Sequence, residues 1–154
     1  MFKFAIVLLG ALSTISANAI VTRHDSPDSA YIVEDADYPA LVDLVSTGDC
    51  IGTLVHESFL LTVAHCTEDL KVGQSLRING DSIRIAKLFR HPKWRKNADE
   101  YDIGLVRLEK PVTNVAPLPI YRKKSELGSV ITLGGRGDHA TGLRGEPGAT
   151  NDGR

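Results

Sequence analysis

Cys50 and Cys66 are the two cysteines of this chain, the second sixteen positions after the first. Between them lie two short apolar runs, residues 50–55 (CIGTLV) and 59–64 (FLLTVA), joined by the polar triplet His56-Glu57-Ser58. Aliphatic and β-branched runs of this length read as strands, and a hairpin joining them brings the two sulfurs together. A bridge closing a loop of this size contributes about 3 kcal/mol in the chain-entropy description. It would also pin His65, which ends the second run beside Cys66. Zinc is the other chemistry open to a cysteine beside a histidine. No second cysteine or histidine pair stands at finger-like spacing, so we expect no metal and no cofactor.

Further short runs continue the β reading. Residues 40–45 (ALVDLV) follow Pro39, and residues 76–79 end at Asn79-Gly80-Asp81, a hairpin turn signal. Residues 82–89 (SIRIAKLF) set Ile83, Ile85 and Lys87 in one phase, with Arg84, Ala86 and Leu88 in the other, a partial period of two. Residues 103–108 (IGLVRL) and 129–133 (SVITL) complete the set, and residues 67–72 carry a weak helical signal. Six or seven short strands at this spacing predict an all-β antiparallel barrel or sandwich. From Gly134 to Arg154 there are seven glycines, and Leu143 is the one larger aliphatic residue. That tail cannot bury much of itself and is expected to be irregular.

The N-terminus reads as an address. Lys3 precedes a nine-residue apolar run at residues 4–12, and a small, polar stretch ends Ala17-Asn18-Ala19. This is the layout of a secretory signal peptide, too short to span a bilayer comfortably. Cleavage after Ala19 exposes Ile20-Val21. Secretion, extracellular or periplasmic, places the cysteines in an oxidising compartment and leaves no membrane segment in the mature chain. The net charge of −1 gives no field that would select nucleic acid.

A second segment pairs with the histidine. Asp102 stands immediately before the apolar run Ile103-Gly104-Leu105-Val106. A carboxylate so placed can hold an imidazole in one tautomer and stabilise its charged form.

Taken together, these segments resemble the N-terminal part of the trypsin-like (chymotrypsin-fold) serine proteases. Leu61-Thr62-Val63-Ala64-His65-Cys66 resembles that family's histidine box, T-A-A-H-C, with Val63 in place of an alanine. Asp102-Ile103-Gly104-Leu105 resembles its aspartate box, D-I-A-L, with Gly104 in place of alanine. Gly135-Arg136-Gly137 resembles its G-W-G turn, His91-Pro92 before Trp94 its loop ahead of the aspartate strand, and Ile20-Val21 its mature N-terminus, followed here by Thr22-Arg23 rather than two glycines. The resemblance spans roughly residues 20–145. It implies a six-stranded Greek-key barrel at 20–134, a signal peptide at 1–19, and at 135–154 the start of a second barrel that lies beyond this sequence. It implies a general base at His65, an orienting acid at Asp102, a Cys50–Cys66 disulfide, and protein or peptide substrates.

The family order continues to a serine. In its best-known member the two gaps run roughly 45 and 93 residues. Here the first gap is 102 − 65 = 37, and 154 − 102 = 52 residues follow Asp102, with no G-D-S-G-G-like stretch. Ser125 and Ser129 lack the flanking glycines of an oxyanion hole. We therefore expect a truncated secreted serine endopeptidase, inactive alone, whose isolated barrel tends to aggregate. The competing expectation is a non-catalytic protease-like binding module. Ile32-Val33 is the rival mature N-terminus. Arg136-Gly137-Asp138, an integrin-type triplet, is expected to be a chance product of a glycine-rich turn.

Overall fold

The structure, a computed structural model, describes residues 20–48, 50–96, 100–135 and 139–141. The signal-like segment, the Arg136-Gly137-Asp138 triplet and the tail from 142 onward lie outside the described residues. Among the described residues there are eight strands: β1 (Ile20–Thr22), β2 (Leu41–Asp43), β3 (Ile51–His56), β4 (Phe59–Thr62), β5 (Ser75–Ile78), β6 (Asp81–Arg90), β7 (Gly104–Leu108) and β8 (His139–Thr141). Six of them form one antiparallel sheet in the order β2-β3-β4-β7-β6-β5. The edge strands β2 and β5 approach each other, so the sheet is nearly closed into a barrel. The Gln74 side-chain amide donates to the Leu44 carbonyl across that seam, at 3.3 Å. After β4 the chain crosses to start β5 at the far edge, and β7 then returns to lie beside β4. This is the Greek-key connectivity that brings residues distant in sequence to one rim.

Inward positions alternate along the strands, as a single buried face requires. Leu54 of β3, Leu60 of β4, Ile85 of β6 and Val106 of β7 are fully buried; Leu76 and Ile78 of β5 join them in the core. β6 departs from strict alternation for a visible reason. Ile85 pairs with Leu108 while Lys87 pairs with Arg107, so Ala86 is an extra residue in the ladder. This bulge inverts the phase: Lys87 is exposed, and Leu88 packs against the core. The Asn79-Gly80 signal folds as expected. Ile78 pairs with Asp81, and both turn residues have positive φ, 44° and 89°, as a two-residue hairpin demands.

Three expectations need correction. Residues 129–133 form no strand. Val130 and Leu133 are almost wholly exposed, at 100% and 87%, because apolar patterning supplies no ladder partner by itself. The weak helical signal at 67–72 is a short 3-10 turn, His65–Glu68, placed earlier than expected. The tail contributes β8, whose backbone pairs in parallel with β1.

Gly104 is the tightest backbone contact. A Cβ there would meet the Thr67 methyl at 2.9 Å and the carbonyl oxygens of Phe89 and Val63 at 3.2 Å. The family's aspartate box has alanine at this position; here the Thr67 methyl occupies the space. Gly104→Ala is expected to destabilise the chain by about 1–3 kcal/mol. Thr67→Ser, which keeps the hydroxyl and removes the methyl, should recover part of that loss in the double variant. Urea unfolding of the two single variants and the double measures the coupling. Strictly additive effects would show that Thr67 is not what excludes the alanine.

Candidate active site

β4 pairs with β7, Thr62 opposite Gly104, and Gly104 is also opposite Arg90 of β6. The residues just after β4 and just before β7 therefore meet at one rim of the barrel. After β4 the chain turns at Ala64 into the 3-10 helix His65–Glu68. The first N–H groups of any helical turn lack partners within it. The His65 N–H finds one in Asp102 Oδ1, at 2.9 Å. The other carboxylate oxygen, Oδ2, lies 2.6 Å from His65 Nδ1. Asp102 thus grips both the backbone and the ring of one residue, fixing imidazole position and orientation together.

A carboxylate can only accept, so Nδ1 carries a proton, and in the neutral ring the lone pair is then on Nε2. The His65 side chain is 61% exposed and that of Asp102 21%. Partial burial pushes the Asp102 carboxyl up. The hydrogen bonds from the His65 ring and backbone, the positive charge of that ring when it is protonated and the Ala64 N–H outweigh this, and the net effect holds Asp102 below its ordinary value.

Asp102 sits at the centre of a three-residue turn, in which the Ile103 N–H donates to the Tyr101 carbonyl at 2.8 Å. Tyr101 adopts a positive φ of 60°, uncommon for a residue with a bulky side chain. Its ring stacks on His91 at 4.9 Å with planes 8° apart, and the Lys93 ammonium lies 5.3 Å from the ring centre. The His91 N–H donates to the Ile103 carbonyl at 3.0 Å. The loop after β6 therefore holds the turn that presents Asp102.

Arg90, the last residue of β6, secures the other half. Its Nε donates to Thr67 Oγ1 at 2.6 Å and its Nη2 to the Thr67 carbonyl at 2.9 Å. The Thr67 hydroxyl in turn donates to the Ala64 carbonyl at 2.6 Å. These positioning residues were not singled out in the sequence. Arg90 and Thr67 carry no motif, and their roles depend on β6 lying beside β7.

Cys50 and Cys66 form the disulfide, with Cα atoms 5.7 Å apart, and both are buried at 8% and 3% exposure. The structure therefore brings His65, Asp102, Cys50 and Cys66 together. Ile20 and Val21 lie on β1, in the separate two-stranded sheet, with backbones paired to His139 and Ala140. The rival pair, Ile32 and Val33, is about half exposed. Ser125 Oγ pairs with the Tyr121 hydroxyl at 2.6 Å, and Ser129 Oγ donates to the Ser125 carbonyl at 3.0 Å; neither bond involves an imidazole. Among the described residues no helix is long and apolar enough to cross a membrane.

The sequence model of the trypsin family matches residues 31–148. Trypsin 5G1 of Aedes aegypti is 29% identical over 115 residues, covering 65% of this chain and 43% of that protein. Platelet-aggregating proteinase PA-BJ of Bothrops jararaca is 36% identical over 103 residues, covering 57% and 42%. Among solved structures, the mouse brain serine protease neuropsin overlays with a TM-score of 0.46 at 25% identity, over 55% of this chain and 44% of that one. The chain spans less than half the length of each of these proteins.

The lowered Asp102 value sets a pH dependence. As acid is added, the unfolded carboxyl, near 3.8, takes up its proton before the folded one does. The stabilisation from this group is thus complete above that value and is lost as the pH falls through the lower folded value. Urea unfolding from pH 6 to pH 2 should show a steeper acid loss for the unmodified chain than for Asp102→Asn. Identical acid profiles would mean the carboxylate is not held by His65.

Proposed function

The chain belongs to the trypsin family, and from that premise we propose that His65 and Asp102 are the general base and the orienting acid of a secreted serine endopeptidase. The observation that carries this reading is the double grip of one carboxylate on His65, 2.6 Å to the ring and 2.9 Å to the backbone. In such a site Nε2 takes the proton of a serine hydroxyl as it attacks the scissile carbonyl. Asp102 stabilises the imidazolium through Nδ1, and the proton then passes to the leaving amine. Water repeats the sequence on the acyl-enzyme. Substrates are proteins or peptides, and neither His65 nor Asp102 needs a metal for these steps.

The nucleophile and the specificity pocket are parts that the 154 residues do not offer in recognisable form, so hydrolysis is proposed for a protein that supplies them. On this reading residues 1–19 are the secretory leader, 20–134 the first barrel and 135–154 the approach to a second. The leader-like segment and the Cys50–Cys66 disulfide support secretion. Cleavage after Ala19 gives Ile20 as the mature N-terminus; the family match itself begins at residue 31. N-terminal sequencing of the secreted protein should start at Ile20, and a start at Ile32 would reverse that assignment.

The decisive experiment reads the transcript through and past codon 154 and expresses what it encodes. The 154-residue chain should not react with an activated-serine phosphonate. A longer product carrying a glycine-flanked serine should react stoichiometrically and hydrolyse peptide esters. In that product Asp102→Asn should lower kcat by on the order of 10⁴, and His65→Ala by on the order of 10⁴–10⁶. Undiminished turnover in His65→Ala would overturn the assignment. A frame that stops at Arg154 with no hydrolysis would favour the non-catalytic binding module.

A further inference from the structure

The barrel ends before the chain does. Among the described residues Val112 and Val115 are the last to enter the core. The Leu118 N–H then donates to the Leu54 carbonyl of β3 at 2.8 Å. Every residue from 116 to 135 is exposed, and none of them lies in a helix or strand. Arg122, Lys123 and Lys124 stand in this stretch, and no hydrogen bond or ion pair among the described residues engages them. The Tyr121 hydroxyl and Ser125 Oγ, 2.6 Å apart, join the residues on either side, so the triplet is the tip of a small clipped loop. We propose that Arg122-Lys123-Lys124 is a processing site, cut by endoproteases that select a lysine or arginine side chain.

A protease must draw several consecutive residues into its cleft, so it cuts where backbone is exposed and free of other bonds. Basic residues occur throughout the described chain, but the others are held. Arg77, Arg84, Lys87, Arg90 and Arg107 lie on β5, β6 and β7, whose backbones pair in ladders. Lys110 is followed by Pro111, which has a fixed φ and no N–H at the bond to be cut. The Lys71 N–H donates to Gln74 Oε1, and its carbonyl accepts from the Gln74 N–H. Arg23 forks onto Asp25 at 2.6 and 2.9 Å. In the loop after β6, the Arg95 guanidinium donates to the carbonyls of Pro92 and Trp94. There too the Lys93 N–H donates to His91 Nδ1, and Lys96 pairs with Glu68 at 3.3 Å.

Cleavage consumes one water. The carbon–nitrogen bond after the basic residue breaks, that residue keeps its carbonyl as a carboxylate, and the next residue leaves with a new ammonium. A carboxylate in the pocket of the attacking protease supplies recognition of the cationic side chain. The cut falls outside the folded unit. The six-stranded sheet, the Cys50–Cys66 disulfide, His65 and Asp102 all precede the triplet. Both cysteines lie on one side of it, so no disulfide within these 154 residues joins the products. The β1–β8 pairing crosses the cut, but a ladder of two short strands is marginal by itself. The exposed Leu127, Val130 and Leu133 leave with the C-terminal product. In a protein that hydrolyses peptides as proposed above, this cut detaches His65 and Asp102 from whatever follows the triplet and acts as an off switch. That consequence rests on the proposed function, whereas the cleavage does not.

The test treats the folded 154-residue chain with a small amount of a lysine-specific endoprotease and follows the fragments by mass spectrometry. No lysine follows Lys124, so the glycine-rich tail does not compete. The first fragments from the barrel side should end at Lys123 or Lys124. They should keep the β-type circular dichroism and the cooperative melting of the uncut chain. The double substitution Lys123→Gln and Lys124→Gln should slow cutting of the barrel-bearing chain by about tenfold or more, because the remaining lysines are reached only through local opening. Lys93→Gln with Lys96→Gln should leave the rate unchanged. First cuts after Lys71, Lys87, Lys93 or Lys96 would overturn the proposal. So would equal rates for the unmodified chain and the Lys123→Gln, Lys124→Gln variant. Unfolding of the chain on cutting at the triplet would also overturn it, since the triplet would then belong to the folded unit.

Discussion

The close approach of β7 to the turn after β4 governs everything at the rim. Gly104 leaves so little room that the Thr67 methyl would stand 2.9 Å from a Cβ on it. That proximity lets Asp102, two residues earlier, reach both the N–H and the ring of His65. With a larger residue at Gly104 the two segments would have to part by a few tenths of an ångström. Hydrogen bonds of 2.6 and 2.9 Å have little tolerance for such a shift. The glycine belongs to the site through packing rather than through chemistry.

Around that contact the polar groups are arranged so that each is used more than once. Thr67 Oγ1 donates to Ala64 and accepts from Arg90, and Arg90 also caps the Thr67 carbonyl. The Asp102 carboxylate serves a backbone and a side-chain donor together. The unusual φ of Tyr101 is held by its stack on His91 and by the tight turn through Ile103. A strained residue next to a functional carboxylate is tolerated when its neighbours over-determine it, and here they do.

Much of the barrel was legible in the sequence because alternation and turn chemistry are local. The Asn79-Gly80 hairpin, the β3–β4 pair and the run after Asp102 all appear close to where they were expected. The failures have physical causes as well. The bulge at Ala86 depends on β7 as a partner, so the phase change at Lys87 has no signature within β6 alone. Residues 129–133 carry strand-like composition, but no strand among the described residues pairs with them. Of the site, His65, Asp102 and the cysteines were readable from their boxes. Arg90, Thr67 and the His91–Tyr101 stack were not, since each acts across a distance in sequence that no spacing rule spans.

The sequence by itself determined the residue types at the rim, the β character of the chain and the pairing of its two cysteines, because strand alternation, turn residues and a short closed loop are fixed by near neighbours. Only the tertiary structure decided that one carboxylate holds both the backbone and the ring of His65, that Gly104 excludes a side chain because of the Thr67 methyl, and that the disulfide packs beside the imidazole. Those relations depend on the Greek-key return of β7 beside β4, and a return of that kind is set by closing the barrel rather than by any local stretch of chain.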